Sequence, residues 1–377
     1  RRKQDMRRWN KVWATLALVT ALGAAHAQIM IGQTAGFSGE EGAGATETTT
    51  GAKLYFDHVN AHGGVHGQKI ELLSLDDKFD AKQAAENARI LIEEQNVLAM
   101  FLTHGTPRTE AVIAVLDKHG VPLVGPSSGA MVLYKPVRKH VFNVRAPYQR
   151  EAEKLISHLA IMGIQRIAVV YVDDSFGTDG LVGALKGLDA AKLKPVVQEK
   201  FDRANPNFGA IAQKIVQAQT QAVLMIATAP FVVKGYTTFR EAGSTAQLAT
   251  LSTNASSGFA KSLGSNGRGV IVAQVFPKES STELPLVREA LDIAKARGSK
   301  EVTPAMIKGF ASAKVLVEGL RRAGAKPSRD KLQAALENMH RFNLGGRGLD
   351  IHYGPESHSG LDFVDLSIIG PDGHFIR

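Results

Sequence analysis

Short, wholly apolar runs alternate with helical patterns along almost the entire chain, and no other feature of the sequence restricts its fold so strongly. The runs IMIG (29–32), KIELLSL (69–75), VLAMFL (97–102) and VPLVG (121–125) read as buried strands. Between them lie helical patterns. DAKQAAENARILIEE (80–94) offers Asp80 as a cap, has Gln83 three residues on, and puts Ala84, Ala88 and Leu91 on one face. Strands separated by helices pair in parallel through right-handed crossovers.

The rhythm then restarts. REAEKLISHLAIMG (150–163) aligns Leu155, Leu159 and Met162 before Gly163. RIAVVYV (166–172), PVVQEKF (195–201), AVLMIAT (222–228), LATLS (248–252) and GVIVAQV (269–275) follow as strands, with a helix carrying Phe208, Ile211 and Ile215 among them. Residues 284–340 read as helical, and DFVDLSIIGPDGHFIR (362–377) as a closing hairpin. With 377 residues, 44% of them hydrophobic, the chain can build two cores. The expected architecture is α/β: two doubly wound, Rossmann-like lobes with a cleft between them.

Composition removes several function classes. The chain has no cysteine, so disulfides, thiolate metal sites and cysteine nucleophiles are excluded. Six Lys/Arg and one Asp in residues 1–11 supply five of the nine net positive charges. The basic balance therefore belongs to one terminal segment and does not argue for nucleic acid. That segment, RRKQDMRRWNK, precedes the apolar VWATLALVTALGAA and the small-x-small triplet Ala25-His26-Ala27. It reads as a secretory signal over 1–27, with Gln28 the first mature residue and Met6 the first methionine. The apolar run is shorter than the ~20 residues a membrane-spanning helix needs. The expectation is an exported, unlipidated protein.

Ligands of open parallel sheets collect at the carboxyl ends of strands. One strand ends in Thr103-His104-Gly105, with Thr106 as the cap candidate and Pro107 as the first helical residue. The next ends in GPSSGA, with Ser127, Ser128 and Gly129. Together they offer hydroxyls and backbone N–H groups with no cation among the strand-end residues, a set suited to a carboxylate. The plain alternative is a helix cap and a turn. GPSSG also matches the G-x-S-x-G elbow, with Ser127 as the nucleophile of an exported esterase. The following GAMVLYKP is too short before Pro136 for the buttressing helix that reading needs. His58, His62 and His66 are spaced by four, but Gly63-Gly64 ends the helix and takes His66 off its face, which argues against a metal. No phosphate-loop or dinucleotide motif is present, so no cofactor is expected. In the second half, DDSFGTDG places Asp173, Asp174 and Phe176 on a strand-end loop. Thr228-Ala229-Pro230-Phe231 and Thr253-Asn254 end two further strands.

GGVHGQKIELLSLDDKFDAKQAAENARILIEE, followed at similar spacing by THGTPRTEA, GVPLVGPSSG, HVFNVRAPY and RIAVVYVDDSFGTDG, resembles periplasmic solute-binding proteins of the branched-chain amino-acid class. The resemblance runs over essentially the whole chain after residue 27. It implies a type I periplasmic-binding fold, with lobes of 28–146 plus 277–348 and of 147–276 plus 349–377. Three crossovers fall near Pro147, Val275 and Leu349. It implies a monomer that closes over a small ligand and presents it to an inner-membrane ABC permease from the periplasm. The family's carboxylate clamp matches Thr106 and Ser127–Gly129, with His104 and Thr228 beside the cleft, and its aromatic cover matches Phe176.

Three departures follow. Gly129 replaces a hydroxyl residue, Gly44 stands where an aromatic is expected, and Thr253 stands where the acid pairing the ligand's ammonium is expected. A buried, unpaired ammonium is costly. The expected ligand is therefore a carboxylate-bearing organic acid, aromatic ones included. An amino acid requires Asp173, Asp174, Glu40 or Glu41 to supply the missing charge. No catalytic set is evident, and the chain reads as a binding protein, with a ligand-sensing protein of the same fold as the alternative.

Overall fold

The structure is a computed structural model that describes residues 28–299 and 301–376; the expected signal segment 1–27 lies outside them. Strand β1 (Ile29–Ala35) leads to helix α1 (Gly42–Ala61), then β2 (Ile70–Asp76) and α2 (Ala81–Arg89). Next come β3 (Ala99–Phe101), α3 (Thr106–His119), β4 (Leu123–Val124) and β5 (Val141–Phe142). These strands form one parallel sheet in the order β2-β1-β3-β4-β5.

The chain then passes to a second sheet. It holds α4 (Tyr148–Ile161), β6 (Ile167–Val172), α5 (Ser175–Ala190), β7 (Val197–Phe201) and α6 (Phe208–Gln217). After these come β8 (Ala222–Ile226), α7 (Ala229–Glu241), β9 (Gln247–Thr250), α8 (Ser257–Leu263) and β10 (Ile271–Gln274). The order β7-β6-β8-β9-β10 repeats the winding of the first sheet. The chain returns to the first lobe through α9 (Pro285–Ala296), α10 (Pro304–Ala323), α11 (Arg329–Glu337) and the short pair β11 (Phe342–Asn343) and β12 (Asp350–Ile351). It ends with β13 (Asp365–Ile369) antiparallel to β10, and β14 (Phe375–Ile376) beside it.

Local chemistry explains the elements. Every side chain of β8 is buried, as a central parallel strand requires, whereas β7 at the edge alternates. Asp80 caps α2 by accepting the Gln83 N–H at 2.7 Å, and Ala84, Ala88 and Leu91 are fully buried. The reversal of winding between β1 and β3, and between β6 and β8, places a crevice at the carboxyl end of each sheet.

Val144 and Ala146 belong to the first core, Tyr148 and Ala152 to the second, so the first passage lies at Pro147. Ala273 belongs to the second core and Val275 to the first, which locates the second passage. The third differs from the expected Leu349. Leu349, Ile351, Tyr353 and Leu361 all pack in the first core, and Ile369 and Phe375 in the second. The Tyr353 hydroxyl donates to the Asn143 carbonyl at 2.5 Å and its ring meets Phe142 edge-on at 5.3 Å. These contacts hold the segment on the first lobe until after Leu361, whose N–H bonds the Val144 carbonyl at 3.0 Å.

Helices α1 and α10 cross with their backbones touching. A Cβ at Gly51 would lie 2.0 Å from the Met306 carbonyl oxygen, and one at Gly309 1.8 Å from that of Thr48. Backbone does not yield to a methyl group as a side-chain tip would. Gly309→Ala is expected to cost about 1–3 kcal/mol, read as a lowered melting temperature. An unchanged melting temperature would show that the two helices can move apart freely.

Candidate ligand-binding cleft

The first wall of the crevice is the turn between β3 and α3. Leu102 and Gly105 take positive φ (50° and 83°), which turns the chain sharply from strand to helix. Thr106 is the first residue of α3 and not its cap, which is Gly105. The freed Thr106 hydroxyl reaches across to Ser128 Oγ at 2.8 Å, both side chains being fully buried. The Ser127 N–H donates to the Thr103 carbonyl at 2.7 Å, and His104 pairs with Ser127 in a single bridge. The strand-end residues carry no cation, but the first turn of α3 does. Arg108, one helical turn on, folds back so that Nε donates to the His104 carbonyl at 2.7 Å, and its guanidinium lies 4.6 Å over the Phe79 ring.

The first passage between lobes supplies a second cation. Arg145 is buried; it pairs with Glu151 and donates to Ser252 Oγ at 3.1 Å and to the Ala146 carbonyl at 3.0 Å. Glu151 in turn accepts the Ser252 N–H at 2.7 Å. The guanidinium packs 4.5 Å from the Tyr148 ring, and that ring packs on Phe176 at 4.8 Å. This arrangement explains Gly129. A Cβ there would lie 2.8 Å from the Tyr148 nitrogen and 3.1 Å from the Arg145 guanidinium carbon, so a hydroxyl residue has no room.

Four buried polar atoms around these turns have no hydrogen-bond partner among the described residues: His104 Nδ1, Ser127 Oγ, Arg145 Nη1 and Thr253 Oγ1. Burial pushes the His104 imidazole well below its ordinary value, and Arg108, Lys308 and Arg145 push it further, so it is neutral at pH 7. Lys308, buried on α10, falls to about 7 through burial and the repulsion of Arg145, against the pull of Glu47. Burial raises Asp77 to about 6, although Arg108 opposes the shift.

The second lobe closes the crevice. Asp174 caps α5, accepting the Gly177 N–H at 3.0 Å, and also takes the Arg203 guanidinium at 2.9 Å. Asp173 turns outward to Lys200 at 2.9 Å. Of the four carboxylates considered as ammonium partners, Asp173 and Asp174 are thus already paired with second-lobe cations. Thr228 Oγ1 accepts from Arg203 at 3.1 Å, so it belongs to that pair's surroundings. Thr253 faces Gly44, where an added Cβ would meet only the Thr253 carbonyl oxygen, at 3.8 Å. The lobes touch directly. Glu47 of α1 accepts from Ser257 N–H (3.1 Å), Ser257 Oγ (2.8 Å) and Gly258 N–H (3.0 Å) at the start of α8. Ser175 Oγ donates to Glu110 of α3 at 2.6 Å.

Other candidates fall away on geometry. The turn at Ser127 leads into a single 3-10 turn, Met131–Leu133, not the helix of a nucleophile elbow. Helix α1 stops at Ala61, and His66 Nε2 meets the Arg321 carbonyl at 2.8 Å, away from His58 and His62. Arg108, Arg145, Tyr148 and Lys308 escaped the sequence reading. The available signal was an arginine inside the apolar run HVFNVRAPY and a lysine inside the small and apolar stretch PAMIKGFASA that opens α10.

Lys308 generates a test with a definite sign. Between its folded value near 7 and its ordinary 10.5, the unfolded chain holds a proton that the folded chain lacks. Stability from this residue therefore rises with pH across that interval and is lowest below 7. Lys308→Met is expected to raise the melting temperature at pH 6 and to flatten the rise between pH 7 and 10. A lower melting temperature at pH 6 would mean that the ammonium is paired.

Residues 28–361 match the family described as periplasmic binding protein. The chain is 28% identical over 218 residues to Leu/Ile/Val-binding protein homolog 7 of Brucella suis, covering 55% of this chain and 54% of that protein. The alignment thus spans about half the length of that curated relative. A substrate-binding periplasmic protein from Ralstonia solanacearum is 32% identical, with a TM-score of 0.85 over 93% of this chain and 99% of that one. A structure described as a possible leucine/isoleucine/valine-binding protein from Rhodopirellula baltica is 25% identical, with a TM-score of 0.87 over 95% and 98%. These relatives are solute-binding proteins, not enzymes.

Proposed function

The chain belongs to the periplasmic binding protein family, in its type I branch related to Leu/Ile/Val-binding proteins, and from that premise we propose that it serves an ABC importer as its solute-binding component. It is exported with removal of residues 1–27, is not lipidated, and acts as a monomer. It takes up a small carboxylate-bearing solute between its lobes and presents the closed complex to an inner-membrane permease. One observation carries the ligand class: Ser127 Oγ, Arg145 Nη1 and His104 Nδ1 are buried without hydrogen-bond partners, and Arg108, Lys308 and Arg145 act on His104. Buried polar groups without partners are rare in proteins, and an anion accepts from such donors where a cation would be repelled.

Thr106, Ser128 and Gly129 line the same turn, where the Thr106 and Ser128 hydroxyls satisfy each other until a carboxylate competes for them. Phe176 and Tyr148 form the apolar side, and Thr253 and Thr228 contribute hydroxyls from the second lobe. Closure follows because a ligand touching both lobes favours the population in which they meet. An α-amino acid is the second reading, with Glu41 as the ammonium partner: its buried Oε2 accepts no hydrogen bond and stands 3.8 Å from the Arg203 guanidinium.

Calorimetric titration of the purified protein separates the two. Carboxylates lacking an amine are expected to bind, and Ser127→Ala to weaken them about 10- to 100-fold, as for loss of a hydrogen bond to a charged group. Binding confined to α-amino acids, abolished by Glu41→Gln, would instead establish the second reading. Glu47→Ala is expected to raise the dissociation constant of any ligand and to expand the unliganded protein in small-angle scattering. No change in either quantity would remove Glu47 from the closing contacts.

A further inference from the structure

The cavity that the closed lobes leave open is not at the Thr106–Ser128 pair but further out. It measures about 590 Å³, within the range that holds a small organic molecule. The first lobe contributes Phe79 and Lys78 to it, and the second Phe231, Pro206, Pro230 and Arg203. No ring contact joins Phe79 to Phe231 among the described residues: Phe79 meets His104 edge-on at 6.1 Å, and Phe231 meets Phe201 at 5.6 Å. Both rings line the cavity, one from each lobe.

Phe79 is held in place at a cost. It follows Lys78 in the left-handed region (φ 61° after 50°), which residues with side chains seldom occupy. The Asp76 and Asp77 carboxylates fasten this turn by accepting the Lys78 and Phe79 N–H groups, each at 3.0 Å. Gly36 leaves the ring its room, since a Cβ there would lie 2.3 Å from it. Both aromatic rings are braced by guanidinium groups, Arg108 at 4.6 Å from Phe79 and Arg203 at 5.5 Å from Phe231. The rim charges Lys78 and Lys234 stand against Glu40 and Glu41, and the third cation, Arg203, is paired to Asp174. Shape and ring faces, not net charge, therefore select the occupant.

We propose that this cavity is an outer subsite for the body of the ligand: a planar aromatic group clamped between Phe79 and Phe231 when the lobes close. The proposal rests on the carboxylate reading above and narrows it to aromatic carboxylic acids. The ring contact between Phe79 and His104 puts such a body directly beside the turn that takes the carboxylate. An aromatic insert gains face and edge contacts with both rings beyond its buried area. Because one ring comes from each lobe, the same contacts favour closure.

The test is calorimetric titration of the purified protein with propionate, 3-phenylpropionate and 3-cyclohexylpropionate, and of the variants Phe79→Leu and Phe231→Leu. The phenyl acid is expected to bind at least tenfold tighter than propionate and several-fold tighter than the cyclohexyl acid. In each variant the ratio of phenyl to propionate affinity is expected to fall at least fivefold. The ratio is read within one variant, so a general loss of stability does not imitate the result. Equal affinities for the three acids, or a ratio unmoved in both variants, would overturn the outer subsite while leaving the carboxylate site standing. Equal affinities for the phenyl and cyclohexyl acids would overturn its aromatic selectivity. If none of the acids binds, the carboxylate reading has failed and the subsite falls with it.

Discussion

A guanidinium taken out of water must find acceptors for its protons, and in this protein Arg145 finds them across the first passage between lobes. Glu151 from the first turn of α4, the Ala146 carbonyl and Ser252 all converge on it. Breaking such a buried pair from one side commonly costs about 3–5 kcal/mol, so the pair holds the crossover in one geometry. The same charge forces neighbouring groups to respond. Gly129 lacks a side chain that would meet the Tyr148 nitrogen, the Ala146 carbonyl and the guanidinium, and Lys308 and His104 lose affinity for protons first through burial and further through this charge. The crevice that results gathers neutral and cationic donors, with Glu151 paired to Arg145 and with Asp77 and Glu47 acting on Arg108 and Lys308.

Closure depends on contacts of a different kind. Glu47 places a carboxylate at the N-terminus of α8, where unsatisfied N–H groups and the helix dipole favour an anion. Glu110 meets Ser175 at the start of α5. Both joints pair an acid of the first lobe with a helix start of the second. They supply part of the closing free energy, and a ligand supplies the rest. Such contacts are polar and exchangeable with water, which suits an interface that must reopen.

The strand-and-helix rhythm was legible because apolar periodicity reports directly on which faces are buried. The Asp80 cap was legible for a similar reason, since its partner lies three residues away. Thr106 shows where local reading stops. A threonine before proline is a sound cap candidate, but the positive φ at Gly105 moves the cap back one residue and frees the hydroxyl for Ser128. Arg108 shows the same limit. On a helical wheel it is a surface cation, yet the sharp turn brings it against Phe79 and the His104 carbonyl. The third passage moved because Tyr353 is anchored to Asn143, a pairing across 210 positions.

By itself the sequence determined two doubly wound sheets, their crevices at strand ends, and the residue types gathered there. Those features follow from the periodicity of apolar residues and from turn chemistry, which act over a few positions. Tertiary structure alone decided which cations enter the cleft, the pairing of Asp173 and Asp174 with second-lobe cations, and the meeting of Phe79 and Phe231 on one cavity. Each is a relation between residues brought together from distant strands or from different lobes. Burial and electrostatic fields depend on distance in space, which no local pattern along a chain encodes.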